Sequence, residues 1–139
     1  MPTSTPTDDV GLVYDGGAVI SADRNNRRMW ALHARALQRG VRPIVPAGCV
    51  VEVWRERQPN VARLLDGCEV EALDVEMAKR AGALRVGLPG EIGPIDATVV
   101  ETSLRRRCAV VTSDRTDIEA LARSASRRVG IIDMKPDNT

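Results

Sequence analysis

Aromatic side chains are almost missing from this sequence: its 139 residues include no Phe, one Tyr and two Trp. A core must therefore be built from Val, Leu, Ile and Ala. Long apolar runs are also missing, and the N-terminus MPTSTPTDDV carries acid where a secretion signal needs base. We therefore predict no membrane span and no signal peptide, and we expect a cytoplasmic protein. A chain of this length is typical of one domain.

Paired cysteines and a histidine cluster are lacking as well. Cys49, Cys68 and Cys108 are far apart in apolar sequence without a C-x-x-C pair, so we interpret them as small buried hydrophobic residues. His33 is the only histidine and falls on a mostly apolar helical face, where a packed side chain is the expected role. Carboxylates are therefore the main candidates for chemistry.

The net charge of +1 conceals an uneven distribution of charge. Five acidic residues stand at the positions discussed below, and without them the 20 Lys and Arg residues clearly outnumber the remaining acids. We therefore expect a basic protein body around an acidic site.

Strands are predicted to alternate with helices along the chain. Short apolar runs predict strands at 10–15, 42–47, 69–73, 108–112 and 129–133, with a sharp turn at 15–17. Apolar spacing and capping residues predict helices at 23–40 with Asp23 as N-cap, 48–57, 59–66, 75–86 with Asp74 as N-cap, 96–106 and 114–123. This alternation indicates a parallel sheet covered on both faces. We assign residues 10–133 to one domain, and 1–9 and 134–139 to flexible tails.

Acidic residues stand just after the predicted strands. Asp15 follows the first strand, Asp114 follows 108–112, Asp96 opens a helix after a Gly- and Pro-rich loop, and Glu52 lies one helical turn past the second strand. Ligands of parallel sheets bind at the C-terminal ends of the strands, so these acids should lie together. Taken alone, a single Asp is explained better as an N-cap worth about 1 kcal/mol. Four adjacent carboxylates repel one another, however, and a divalent cation with a preference for oxygen, such as Mg²⁺ or Mn²⁺, removes that cost.

Two neighbouring acids need a separate interpretation. Glu52 has apolar neighbours, a setting in which a carboxylate requires a partner, whereas Glu56 lies between two arginines; we therefore choose Glu52. Asp117 comes three residues after Asp114 at a helix start and can point toward the same place. Three roles remain open for Asp117: a metal ligand, a contact of the residues that bind the metal, or only a favourable charge at the helix N-terminus.

Four segments carry these acids in order. They are LVYDGGAVI with Asp15, VPAGCVVEVWR with Glu52, PIDATVVETS with Asp96, and AVVTSDRTDIEAL with Asp114 and Asp117. Together they resemble the acidic motifs of PIN-domain nucleases, and the resemblance extends over residues 10–132. Within that family, a compact stand-alone chain is similar to the VapC type, the toxin of bacterial toxin–antitoxin pairs.

The resemblance implies a three-layer α/β/α PIN-like fold with a mainly parallel sheet of about five strands. It also implies magnesium-dependent cleavage of RNA and inhibition by a cognate antitoxin, and it leaves open whether the chain forms a homodimer. The candidate catalytic residues are Asp15, Glu52, Asp96 and Asp114, and the candidate ligands of Mg²⁺, or alternatively Mn²⁺, are Asp15, Asp96, Asp114 and Asp117.

One departure from the family concerns the residues after the first Asp. Many relatives have a hydroxyl residue there, whereas this chain has Gly16 and Gly17, which permit close backbone approach but supply no hydroxyl. Thr112 and Ser113 are then the candidate hydroxyl contacts of the site.

Two groups of arginines are candidates for binding the RNA backbone: Arg24, Arg27, Arg28, Arg105, Arg106 and Arg107. A solvated helix face explains them equally well. The scarcity of aromatic residues argues against stacking of RNA bases on the protein.

Two other functions fit part of the pattern. A non-catalytic PIN-like module would bind RNA or a protein partner and use its acids only as caps; magnesium-dependent cleavage separates it from a nuclease. A response-regulator receiver has adjacent acids after its first strand and a Lys after its last. Here two glycines follow Asp15 and Lys135 lies in the predicted tail, so the receiver is disfavoured.

Overall fold

The structure, a computed structural model, describes residues 11–135. Within this range five strands form one sheet: β1 (Gly11–Tyr14), β2 (Ile44–Pro46), β3 (Glu69–Glu71), β4 (Cys108–Thr112) and β5 (Ile131–Asp133). The strand order is β3-β2-β1-β4-β5, and every neighbouring pair is parallel. The chain builds from β1 to β3 on one side and then returns to add β4 and β5 on the other. The strand order therefore reverses between β1 and β4.

Helices cover both faces of the sheet. Between residues 11 and 135 they are α1 (Gly16–Asp23), α2 (Arg27–Gln38), α3 (Ala47–Val53), α4 (Pro59–Asp66), α5 (Val75–Leu84), α6 (Pro94–Arg106) and α7 (Arg115–Ser124). Helix α6 packs against β1, β2 and β4, with α5 and α7 beside it, while α1 packs against β1 and β4 with α3 and α4 beside it. The predicted three-layer α/β/α fold is confirmed. None of the helices in residues 11–135 has the length and apolar character that crossing a membrane requires.

The core is aliphatic, as the composition requires. Every residue of β4 is buried, because this strand lies between β1 and β5 and helices cover both faces of the sheet. The three cysteines are buried free thiols, as predicted. His33 is also buried, and its Nδ1 forms a 2.9 Å hydrogen bond with the hydroxyl of Tyr14. The single histidine is therefore a packed side chain, in agreement with the prediction.

The segment after β1 differs from the prediction of a turn at 15–17 and one helix at 23–40. Asp15 is the N-cap of α1, so the two glycines that follow it are helical. Asp23 is the last residue of α1 and not an N-cap; Asn26 caps α2 through its side-chain oxygen. Consecutive glycines are typical of turns, and the local pattern alone does not show that tertiary packing makes this pair helical.

Other element boundaries also differ from the prediction. Helix α3 ends at Val53, so Glu56 lies beyond the helix that carries Glu52. Asp96 lies in the first turn of α6 rather than opening it, because Gly93 is the N-cap. Met134 was predicted to start the C-terminal tail, but it is buried, and its N–H donates a 2.7 Å hydrogen bond to the carbonyl of Thr112, the last residue of β4. The predicted tail segments 1–9 and 136–139 lie outside the described residues.

Candidate active site

Acidic residues gather at the C-terminal edge of the sheet, where the strand order reverses. Strand β1 ends directly before Asp15, and its neighbour β4 ends two residues before Asp114. Asp96 reaches the same edge from the first turn of α6, which packs on both strands. The tightest group consists of Asp96, Asp114 and Asp117, in which one carboxylate oxygen from each residue lies within 4.8 Å of the others. We call these three residues the acidic cluster.

Asp15 is the most deeply buried acid at this edge, with 3% of its surface exposed. Its Oδ1 accepts a 2.8 Å hydrogen bond from the N–H of Ala18, which fixes the side chain at the start of α1. Burial raises the pKa of Asp15, and the nearby charges of Glu52 and Asp114 raise it further, while hydrogen bonds from Thr112 and Ala18 act in the opposite direction. Asp15 therefore caps α1 and also lies within electrostatic reach of two other acids of this edge.

Thr112 connects the two loops that carry the acids. Its side chain is fully buried, and its Oγ1 accepts a 2.8 Å hydrogen bond from the N–H of Asp114. The same side chain hydrogen-bonds to the carboxylate of Asp15. One hydroxyl therefore sets the position of the segment after β4 relative to the carboxylate after β1.

Asp96 is the acid at this edge on which the largest number of neighbouring negative charges act. Partial burial and the negative charges of Asp15, Asp114, Glu52 and Asp117 raise its pKa to about 7. Without a cation, this carboxyl group is therefore only partly deprotonated near pH 7. Bringing these acids together is unfavourable for the protein alone, and a bound cation would offset that cost.

Asp117 lies within the acidic cluster, a question that the sequence left open. Burial raises its pKa, as do a hydrogen bond with Asp114 and the charges of Asp114 and Glu91. Glu91 was not recognised from the sequence, because it stands in the loop before α6 without any strand or helix pattern that marks it. Its charge reaches Asp117 because the fold brings this loop close to the acidic cluster.

Glu52 approaches the site from α3, outside the acidic cluster. Burial raises its pKa, and its charge acts on both Asp15 and Asp96. The carboxylate rests against α1 at Gly16, where an added Cβ would lie 2.8 Å from Oε1 of Glu52. The glycine thus makes room for the glutamate that the sequence favours over Glu56.

Cys49 lies beneath these acids and was interpreted from the sequence only as a core residue. Its thiol is fully buried, and its pKa is raised by burial and by the charges of Asp15, Glu52 and Asp96. The thiol is therefore neutral at physiological pH, and carboxylate oxygens remain the donors at this edge.

The structure does not bring the arginines at the end of α6 to the acidic cluster. Helix α6 has 13 residues, a length of about 20 Å, with Asp96 in its first turn and Arg105 and Arg106 in its last. Arg105 binds Glu71 and Glu101, and Arg106 binds Glu71 at 2.6 Å and Glu69 at 3.1 Å. Arg107, which follows the helix, is exposed.

The other arginine group has a different environment. Arg24, Arg27 and Arg28 are exposed where α1 ends and α2 begins. No carboxylate of residues 11–135 forms an ion pair with them. These guanidinium groups can therefore contact a polyanion without first breaking an ion pair with a residue of 11–135.

Comparison with known proteins agrees with this arrangement of fold and acids. A model of the PIN domain family matches residues 49–124, a segment that includes Glu52 and the acidic cluster. Among solved structures, the chain is similar to one described as "Toxin-antitoxin complex from Klebsiella pneumoniae", with 18% identity and a TM-score of 0.56 over 77% of this chain and 89% of that chain. At this identity the likeness concerns the fold. No match is found among curated proteins.

Proposed function

The chain belongs to the PIN domain family, whose members are generally nucleases, and from this premise we propose that it is a magnesium-dependent endoribonuclease. The observation that carries the proposal is the acidic cluster, whose three carboxylates converge within 4.8 Å at the C-terminal edge of the sheet. Asp15 and Glu52 add two further carboxylates within electrostatic reach of Asp96. The reaction proposed is hydrolysis of RNA phosphodiester bonds.

The donor set fits a hard divalent cation. Asp96, Asp114 and Asp117 would hold it together with Asp15, and all four offer carboxylate oxygens, the ligands that Mg²⁺ and Mn²⁺ prefer. PIN nucleases use divalent metals, which supports this assignment. When bound, such an ion activates a water molecule and stabilises negative charge on the phosphate.

Three side chains of the protein, those of Thr112, Asp96 and Glu52, have separate roles in this chemistry. Thr112 keeps Asp15 and Asp114 in place through one buried hydroxyl. Asp96 releases its proton when the local negative charge is neutralised, because that charge and burial are what raise its pKa to about 7. Glu52 stands on the solvent side of the site, and we assign to it the orientation of water next to the scissile phosphate.

RNA phosphates would be bound by exposed arginines. We favour Arg24, Arg27 and Arg28, because they are exposed and form no ion pair with residues 11–135. Arg105 and Arg106 would first have to leave their glutamate partners. Phosphate contacts of this kind bind RNA without regard to sequence and weaken with added salt.

We extend the proposal to a biological role as the toxin of a toxin–antitoxin pair. The fold shared with a chain of a toxin–antitoxin complex supports this role. The partner would be a cognate antitoxin protein, and the protein would act in the cytoplasm, where its RNA substrate is found. Expression of the chain alone should arrest bacterial growth, and co-expression of the neighbouring small open reading frame should restore it.

The nuclease proposal is tested by comparing two Asp-to-Asn variants. Asp96→Asn removes a carboxylate of the acidic cluster, whereas Asp74→Asn changes an ordinary N-cap of α5 and retains a capping residue. With Mg²⁺ and a mixed pool of RNA, we expect Asp96→Asn to lower the cleavage rate at least 100-fold, on the order of a lost electrostatic contribution to catalysis. Asp74→Asn should cleave at the wild-type rate. A wild-type protein without activity would favour a non-catalytic PIN-like module.

A further inference from the structure

Gly17, the second glycine after Asp15, lies in the first turn of α1. Its backbone conformation does not require a glycine. The φ angle of Gly17 is not positive, and glycine weakens a helix relative to alanine. An added Cβ at this position would lie 2.1 Å from Oγ of Ser113 and 3.3 Å from its Cβ. The hydroxyl of Ser113 thus occupies the space that a side chain at position 17 would need.

This space borders the acidic site. The same added Cβ would lie 3.3 Å from Oδ1 of Asp15, so the hydroxyl of Ser113 and that carboxylate flank one small volume. Ser113 also directly precedes Asp114 of the acidic cluster. The serine is therefore located between the acid after β1 and the acid after β4.

The adjacent hydroxyl groups of Thr112 and Ser113 differ in their hydrogen bonding. The hydroxyl of Thr112 is engaged by Asp15 and by the N–H of Asp114. The hydroxyl of Ser113 has no hydrogen-bond partner among residues 11–135, and the residue is exposed. It is consequently free to bind a water molecule or a substrate oxygen at the edge of the site.

We propose that Ser113 is a positioning residue of the acidic site, and that its hydroxyl orients a water molecule at the Asp15 side of the metal-binding carboxylates. Gly17 leaves the space that this hydroxyl occupies, because any larger residue at position 17 would displace the hydroxyl of Ser113. The inference rests on the proposed nuclease function and assigns to Ser113 a role in cation binding and in turnover.

Moving the hydroxyl from the segment after β4 to the first turn of α1 tests the proposal. The variants are Ser113→Ala, the double variant Gly17→Ser with Ser113→Ala, and the double variant Gly17→Ala with Ser113→Ala. Ser124→Ala, at the exposed far end of α7, is the matched control. Binding of Mn²⁺ is measured by calorimetry, and cleavage of RNA is measured as separate kcat and KM values.

We expect Ser113→Ala to weaken Mn²⁺ binding and to lower kcat by about tenfold each, the effect of one lost hydrogen bond, with KM for RNA nearly unchanged. Gly17→Ser should recover most of both losses in the Ser113→Ala background, whereas Gly17→Ala should not. Ser124→Ala should match the wild type, and the melting temperatures of all variants should show that they are folded.

Two results would overturn the role of Ser113. One is wild-type Mn²⁺ affinity and kcat in Ser113→Ala, and the other is equal recovery by Gly17→Ala and Gly17→Ser, which would indicate packing rather than a hydroxyl contact. If the wild-type protein cleaves no RNA, the nuclease proposal fails on its own. The Mn²⁺ affinities of the same variants then still decide whether Ser113 positions the cation.

Discussion

Among single residues, Asp15 and Asp114 follow the neighbouring strands β1 and β4, and Asp96 lies in the first turn of the helix that packs on both strands. Asp15 and Asp114 were predicted because an acid just after a strand of a parallel sheet faces the edge where ligands bind. Asp96 was predicted from its place at a helix start after a Gly- and Pro-rich loop. The membership of Asp117 was not decided by the sequence, because it depends on how closely its carboxylate approaches Asp114. The contribution of Glu91 depends on the path of an irregular loop, which no periodic pattern describes.

The raised pKa values predict how the metal-free protein responds to pH. The pKa of Asp96 is about 7 in the folded protein and about 4 when the chain is unfolded, so folding favours the protonated form. The stabilisation is complete below pH 4 and is lost as the pH rises through 7. In the presence of a chelator, we expect the melting temperature to fall between pH 5 and pH 8, as measured by calorimetry.

The variant Asp96→Asn isolates this contribution. It should melt at a temperature that changes less between pH 5 and pH 8 than that of the wild type, because the titrating group is gone. Other groups, such as Glu69 with its lowered pKa, contribute equally to both proteins. Added Mg²⁺ should stabilise the wild type more at pH 8 than at pH 5, since protons compete with the cation. Identical pH profiles of the two proteins would contradict the proposed titration of Asp96.

Among the secondary-structure elements, α6 ends in arginines that form ion pairs with β3, which their spacing in the sequence did not predict. Strand β3 is a short edge strand, and its Glu69 and Glu71 point to the same face because side chains alternate along a strand. Arg105 and Arg106 bind these glutamates and thereby connect β3 to α6. The run of arginines predicted a polyanion contact because its partners on β3, Glu69 and Glu71, are more than 30 residues away in sequence.

The buried member of this network gives a prediction for stability. The side chain of Glu101 is 4% exposed and accepts hydrogen bonds from Arg80 and Arg105. We expect Glu101→Gln to lower the free energy of unfolding by about 1–3 kcal/mol, because charged hydrogen bonds are lost in a buried place. Urea denaturation measures the change.

Glu119→Gln is the matched control for this measurement. Glu119 pairs with Arg115 and Arg123 along one exposed helix, where such a pair is worth about 0.3–0.5 kcal/mol. Mn²⁺ binding should be unchanged in Glu101→Gln, since Glu101 lies outside the acidic cluster. Equal destabilisation by the two substitutions would show that the network at β3 contributes no more than an exposed pair.

At the scale of the whole molecule, the alternation of strands and helices was sufficient to predict a parallel sheet with helices on both faces. The order β3-β2-β1-β4-β5 could not be obtained from that alternation, because strand neighbours are selected by packing across the sheet. This order is nevertheless what brings Asp15 and Asp114 together, since it makes β1 and β4 neighbours. The sequence motifs thus predicted acids that the topology brings to one edge of the sheet.

Returning Mg²⁺ to a chelated reaction measures whether RNA cleavage by this protein depends on a divalent cation. The wild-type protein is incubated with a mixed pool of RNA in excess chelator, and Mg²⁺ is then added above the chelator concentration while product is followed with time. We predict no product before the addition, cleavage after it, and cleavage at least 100-fold slower by Asp96→Asn at every Mg²⁺ concentration. Cleavage that proceeds in the chelator, or that is equally fast in Asp96→Asn, would contradict the assignment of the acidic cluster as a metal-dependent nuclease site.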